Sequence, residues 1–184
     1  RRSSDLRYLD RDNKLQYAWT TSWGVSTRMV GAIIMAHGDD SGLRLPPRLA
    51  PIQVVIVPIW RKAADGKTVL AAANKIAATL KRAGVRVKLD DRDQYQPGYK
   101  FNEWELRGVP LRIELGPRDI AAQKVMLSRR DRPGRANKLQ LDINGLADSV
   151  PELLVDIQAA MLADATRFRD EHTATVSSYD EFKE

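Results

Sequence analysis

The chain of 184 residues carries 30 Lys and Arg against 24 Asp and Glu, a formal net charge of +6 with a pI near 9.7. This moderate basic bias is compatible with a polyanionic partner. Hydrophobic residues make up 43%, enough for one good-sized core plus an appendage, and there is no cysteine, which excludes disulfides and thiolate metal sites. The longest apolar run, residues 29–36, is far too short to span a bilayer, and no signal peptide is evident. A soluble, cytoplasmic chain is expected, one whose opening Arg1-Arg2-Ser3-Ser4 reads as the interior of something larger.

In chain order, residues 8–17 read as a hairpin with a polar turn at Asp12-Asn13 and a return strand running through Trp19. Residues 20–28 then read as a strand entering a buried apolar helix over 29–36, with Arg28 at the junction. There the cation and the helix N-terminus could hold an anion together. A hairpin and one helix leave too much apolar surface wet, so residues 1–45 are expected to pack against another chain or to be poorly ordered. Three prolines in residues 46–51 predict a stiff extended connector and a domain boundary.

Beyond it the pattern changes. Residues 52–59 form a nearly continuous β-branched run, a strand buried on both faces, and 67–83 an amphipathic helix closed by Gly84. Residues 85–89, 124–128 and 138–143 read as further strands, the last two separated by a very basic turn over 129–135. That turn is most simply a solvated loop, though it also suits a phosphate contact. A final helix opens on a capping box, Ser149 to Glu152, and turns Val150, Leu153, Leu154, Ile157, Met161, Ala165 and Phe168 inward.

The chemistry concentrates in residues 99–119. A short helix over 100–107 places Phe101 and Glu105 on one face, Gly108 ends it, and 109–115 alternates as a half-buried strand with Leu111, Ile113 and Leu115 inward and Arg112 and Glu114 outward. Gly116-Pro117 turns the chain into another helix ahead of Arg118 and Asp119. With four charges of each sign, the stretch is no simple phosphate patch. The Watson–Crick edge of guanine offers two adjacent N–H donors to a carboxylate and an O6 acceptor to a cation. An unstacked base also needs an aromatic or guanidinium plane, and Phe101, Glu105, Arg112, Arg118 and Asp119 supply all of these. The competing reading is ordinary structure: a Glu103–Arg107 pair, a solvated Arg112–Glu114 strand face, and Phe101 and Trp104 in the core.

Residues 21–28 (TSWGVSTR), His37-Gly38-Asp39, Leu45-Pro46-Pro47, 104–110 (WELRGVP) and 116–119 (GPRD) together resemble the C-terminal half of a prolyl-tRNA synthetase of the archaeal and eukaryotic-like type. The resemblance runs over nearly the whole chain. It implies an α/β fold in which residues 1–45 end a class II catalytic domain, with its third signature motif on a strand–helix piece of an antiparallel-sheet domain. A Pro-rich linker over 46–51 leads to an anticodon-binding domain over 52–175 with a five-stranded mixed sheet flanked by helices, and 176–184 begin a further linker. It further implies that Arg28 contacts the ATP phosphates as the catalytic cation, that Ser22, Trp23, Gly24 and Ser26 line the adenylate pocket with it, that His37 is a structural turn, and that Phe101, Glu105, Arg112, Arg118 and Asp119 read the anticodon. The full-length enzyme implied is a homodimer that uses ATP with Mg2+ to join L-proline to tRNA(Pro) through prolyl-adenylate. The fragment alone is expected to bind tRNA without catalysis and to hold no metal or membrane. A free-standing anticodon-binding accessory module is the alternative.

Overall fold

The computed structural model describes residues 6–19, 21, 23–132 and 134–183, apart from the side chains of residues 63, 135 and 136. Two compact units divide at residues 31 and 32.

The first unit contains the hairpin. Strands β1 (Arg7–Leu9) and β2 (Leu15–Tyr17) pair antiparallel, and Ala18 N–H extends the ribbon by donating to the Leu6 carbonyl at 2.9 Å. Asp10 builds the turn by accepting from the backbone N–H groups of Asp12 and Lys14, both at 2.9 Å, which lets Asn13 take a φ of 58°. The ribbon stops short of Trp19, and the strand expected over 20–28 is not formed among the described residues, because a strand needs a partner ladder and none is offered there. Helix α1 (Arg28–His37) forms as expected but is not buried: Met29, Val30, Ile34 and Met35 are all exposed.

The second unit holds a five-stranded mixed sheet in the order β4-β3-β5-β6-β7. Its strands are β3 (Val54–Pro58), β4 (Val87–Leu89), β5 (Leu111–Leu115), β6 (Lys124–Arg129) and β7 (Lys138–Asp142). β3 runs parallel to both β4 and β5, and the meander β5-β6-β7 is antiparallel. Alternation sorts the strands' side chains between two cores. Val54, Ile56, Leu111, Ile113 and Leu115 pack under helices α2 (Ala63–Arg82) and α5 (Leu146–Glu171), while Val55 and Val57 pack under α3 (Pro97–Leu106) through Trp104. The remaining helices are short: α4 (Pro117–Ala121) and α6 (Tyr179–Phe182).

Several expectations are corrected. Arg112 and Glu114 do not point to solvent: α3 covers that face of β5, so the strand is buried on both sides and Glu114 is only 9% exposed. Helix α5 starts at Leu146 instead of at a Ser149 cap, because Leu146 is already in the core. Pro151 therefore sits inside the helix, where its missing N–H removes one bond. Phe168, expected inward, is 64% exposed and stacks on His172 with ring centroids 4.1 Å apart, since α5 outruns the sheet beneath it. The proline segment is not extended. Leu49 and Ala50 N–H groups return to the Pro46 carbonyl, and the Arg86 guanidinium clamps the turn by donating to the carbonyls of Pro47, Arg48 and Ala50 at 2.8, 3.3 and 2.9 Å.

Helix α3 is fixed along its buried face and at its end. On that face, Asp90, 1% exposed, accepts from Trp104 Nε1 at 2.7 Å and from Arg92 Nε and NH2 at 2.8 Å each, with Lys100 Nζ 4.0 Å away. At its end, Gly108 adopts a φ of +71° where a Cβ would lie 2.7 Å from the Leu43 backbone. The Leu43 and Leu45 N–H groups cap the Leu106 and Gly108 carbonyls at 2.9 and 3.1 Å.

Burial acts to raise the Asp90 pKa, but the bonds from Arg92 and Trp104 and the charge of Lys100 outweigh it and bring it from 3.8 to about 2. A depressed carboxyl stabilises the fold fully above its unfolded value and loses that contribution as pH falls from about 3.8 through about 2, a change of about 2 kcal/mol. Urea melts from pH 5 to pH 2 should show the stability gap between wild type and Asp90→Asn closing by that amount. An identical acid limb in both proteins would remove Asp90 from the account. Gly84, with a φ of +80° and nothing within 4 Å of its would-be Cβ, serves as a control for Gly108. Gly84→Ala should cost about 1 kcal/mol of backbone strain, and Gly108→Ala roughly 2–4 kcal/mol, because the Leu43 backbone must also move. Equal losses in the two variants would show that the close approach of Leu43 carries no energy.

Candidate nucleic-acid interface

Pro97, with its fixed φ and no N–H to lose, opens α3 at its first turn, so the helix starts three residues earlier than the sequence predicts. Its 3.6-residue period then turns Trp104 against β3 and brings Phe101 and Glu105 to the flank beside β5. There the Arg112 guanidinium lies over the Phe101 ring, 4.2 Å from its centroid. Arg112 NH2 also donates to Glu114 Oε1 at 3.1 Å, and Lys138 Nζ approaches Glu114 Oε2 at 3.8 Å. Phe101 and Arg112 are therefore a pre-built stack with a neutralised carboxylate behind it. On the opposite flank, Glu103 bridges Arg92 and Arg107, so the expected i,i+4 pair is present as part of a larger network.

Glu105 and Arg112 line a cavity of about 240 Å3 bounded by the end of α3, β5 and the loop 129–137. The Glu105 side chain is half-buried and makes no hydrogen bond or ion pair among the described residues, which leaves both carboxylate oxygens available. The loop is not the solvated basic turn that its composition predicts. Arg129, 3% exposed, is paired with Asp131 at 2.7 Å and Asp156 at 3.0 Å, and Arg130 is paired with Asp39. Pro133 lies outside the described residues.

Arg118 and Asp119 lie elsewhere, on α4 beyond the far end of β5. Arg118 is exposed, and Asp119 is half-buried with Oδ2 accepting from Gly116 N–H at 2.8 Å, which leaves Oδ1 free. Gly116 lies four residues on from Arg112, about 13 Å along the strand at ~3.3 Å per residue, so α4 stands apart from Phe101 and Glu105. The five residues read from the sequence as one set thus fall into two groups, one beside α3 and β5 and one on α4. The burial of Glu114 and the approach of Lys138 to it were not foreseen. The strand alternation held the signal for Glu114, and nothing local pointed to Lys138.

In the first unit, Ser22 lies outside the described residues. Trp23 is 97% exposed and no atom lies within 4 Å of a Cβ built on Gly24, so no pocket wall is assembled there by the described residues. Ser26 Oγ accepts from Arg28 N–H at 3.4 Å, and Arg28 begins α1 with its side chain exposed. The cation therefore stands at the helix start, as its position in the sequence predicts.

Comparison with known proteins bears on both parts. Residues 53–153 match the model of the anticodon binding domain family. The proline–tRNA ligase of Chloroflexus aurantiacus is 55% identical over 183 residues, covering 100% of this chain and 38% of the relative. The chloroplastic/mitochondrial proline–tRNA ligase of Arabidopsis thaliana is 51% identical over 186 residues, covering 100% of this chain and 34% of its own length. A crystal structure of prolyl-tRNA synthetase from Cryptosporidium parvum, complexed with halofuginone and AMPPNP, superposes with a TM-score of 0.84 at 41% identity over 95% of this chain and 35% of that one. The chain thus spans little more than a third of the relatives it matches. With its whole five-stranded sheet and the Phe101–Arg112 stack inside the matched segment, the chain belongs to the anticodon-binding domain family.

Proposed function

We propose that the chain is the anticodon-reading portion, joined to the third-motif end of the catalytic domain, of a proline–tRNA ligase that attaches L-proline to tRNA(Pro) through prolyl-adenylate. The observation that carries the reading is the unpartnered Glu105 carboxylate at the mouth of a cavity, beside a guanidinium already stacked on an aromatic ring. The carboxylate accepts the N1–H and N2–H donors of a guanine extruded from the anticodon loop, and the Phe101–Arg112 stack offers the plane on which an unstacked base rests. Arg118 and the free Oδ1 of Asp119 form the second sub-site, for a neighbouring base. Likeness to proline–tRNA ligases extends over the whole chain, including the residues before 46, which speaks against a free-standing accessory module.

Arg28 meets the ATP phosphates in the whole enzyme, where a fixed guanidinium stabilises charge gathering on phosphoryl oxygens, with Ser22, Trp23, Gly24 and Ser26 walling the adenylate. Mg2+ enters with ATP: among the described residues no group of three His, Cys, Asp or Glu could hold a metal ion. Homodimerisation and a cytoplasmic site belong to the same reading of the whole enzyme. Among the described residues no helix is long and apolar enough to cross a membrane.

Glu105→Gln keeps the size of the side chain but turns one acceptor into a donor. Binding of tRNA with a proline anticodon should weaken by about 1–3 kcal/mol, with a smaller loss for tRNA lacking guanine at the read position. Filter binding measures both, and equal loss on every tRNA would assign the carboxylate to the fold. In the whole enzyme, Arg28→Ala should slow ATP–pyrophosphate exchange roughly 100-fold or more. An unchanged rate in a folded variant would demote Arg28 to structure.

A further inference from the structure

Arg130 makes three side-chain hydrogen bonds, one of them to the backbone of the residue that carries the reading carboxylate. Its backbone N–H donates to the Pro110 carbonyl at 2.9 Å. Its guanidinium donates through Nε to the backbone carbonyl of Glu105 at 3.1 Å, through NH1 to Asp39 Oδ2 at 2.7 Å, and through NH2 to Asp39 Oδ1 at 2.5 Å. The side chain is 9% exposed, so it cannot present itself to a phosphate without giving up these bonds. Asp39 is itself held: its Oδ1 accepts from Ser41 N–H, and its backbone exchanges both hydrogen bonds with Gly42.

The last turn of α3 is where helix carbonyls run out of intrahelical partners and where the helix dipole favours a cation. Glu105 stands on that turn. Its own carbonyl is shared between Gly108 N–H and Arg130, while Leu43 N–H takes the Leu106 carbonyl. The direction in which the Glu105 side chain leaves the helix therefore depends on a guanidinium that touches its backbone and on the aspartate that aims that guanidinium.

We propose that Arg130, aimed by Asp39, is a positioning residue for base reading: it fixes the last turn of α3 and with it the Glu105 carboxylate, without contacting the tRNA. This rests on Glu105 reading a guanine, as argued above. A lysine cannot replace it, because a single ammonium on a flexible stem cannot span a carbonyl and both oxygens of a carboxylate in one plane.

The test uses the whole enzyme and two ligands, tRNA(Pro) and the same tRNA with the read guanine substituted, each at two salt concentrations. Arg130→Ala, Arg130→Lys and Asp39→Asn are compared with Glu105→Gln. All three clamp variants should lower the preference for the guanine-bearing tRNA by about tenfold, while the slope of log affinity against log salt stays that of the wild type. A slope lowered by about one unit in Arg130→Ala but kept in Arg130→Lys, with the preference intact, makes Arg130 a phosphate contact and overturns the proposal. A lowered melting temperature with an unchanged preference makes the clamp merely structural and overturns it too. If Glu105→Gln loses the preference and the clamp variants keep it, the clamp alone falls; if Glu105→Gln keeps it, base reading by Glu105 falls and the clamp with it. Should Arg130→Ala not fold, Asp39→Asn and Arg130→Lys decide.

Discussion

A carboxylate taken out of water is tolerable only if every oxygen is answered, and Asp90 is the place where this domain meets that demand. An indole N–H, a two-armed guanidinium and an ammonium converge on it from α3 and the segment leading into α3. Each of those donors sits on the helix or just before it, so satisfying Asp90 and placing α3 over the sheet are one event. Removing a partner would leave a buried charge uncompensated, a far larger cost than the net worth of any single bond in the network. The site residues Phe101 and Glu105 inherit their positions from this helix.

The sheet assigns different work to its two faces. Under α2 and α5 it is apolar except at the end of β6, where Arg129 meets Asp156 of α5, and stability there follows buried area. Under α3 apolar contact is limited to a few residues around Trp104, and the remaining area is occupied by Asp90, Lys100, Arg112 and Glu114 with their partners. Buried polar networks of this kind add little net energy but tolerate few alternative arrangements. A surface that must present a carboxylate and a stacked guanidinium to within a fraction of a hydrogen-bond length benefits from that intolerance.

Much of this was legible in the sequence. The β-branched run of β3, the stripe of α2 and the inward set Leu111, Ile113 and Leu115 state their burial through periodicity, and the i,i+4 spacing of Phe101 and Glu105 states their shared face. What periodicity does not carry is the identity of the cover. Alternation told which way Arg112 and Glu114 point, but not that α3 lies there, and the stripe of α5 continues to Phe168 although the sheet ends sooner. Long-range partners were equally hidden. Arg130 looked solvated because Asp39 is 91 residues away, and the proline segment looked extended because the Arg86 side chain that folds it lies 36 to 39 residues on.

The Arg86 clamp bears on how this domain can be moved between proteins. The matched family segment begins at residue 53, yet the carbonyls that satisfy the Arg86 guanidinium belong to residues 47–50, and the N–H groups that close α3 belong to residues 43 and 45. A graft cut at the family boundary would carry the sheet and every side chain proposed to read a base while leaving a cation without its acceptors and a helix end open. The portable unit therefore begins near Gly38, with the stretch that looks in sequence like a tether included as one of its walls.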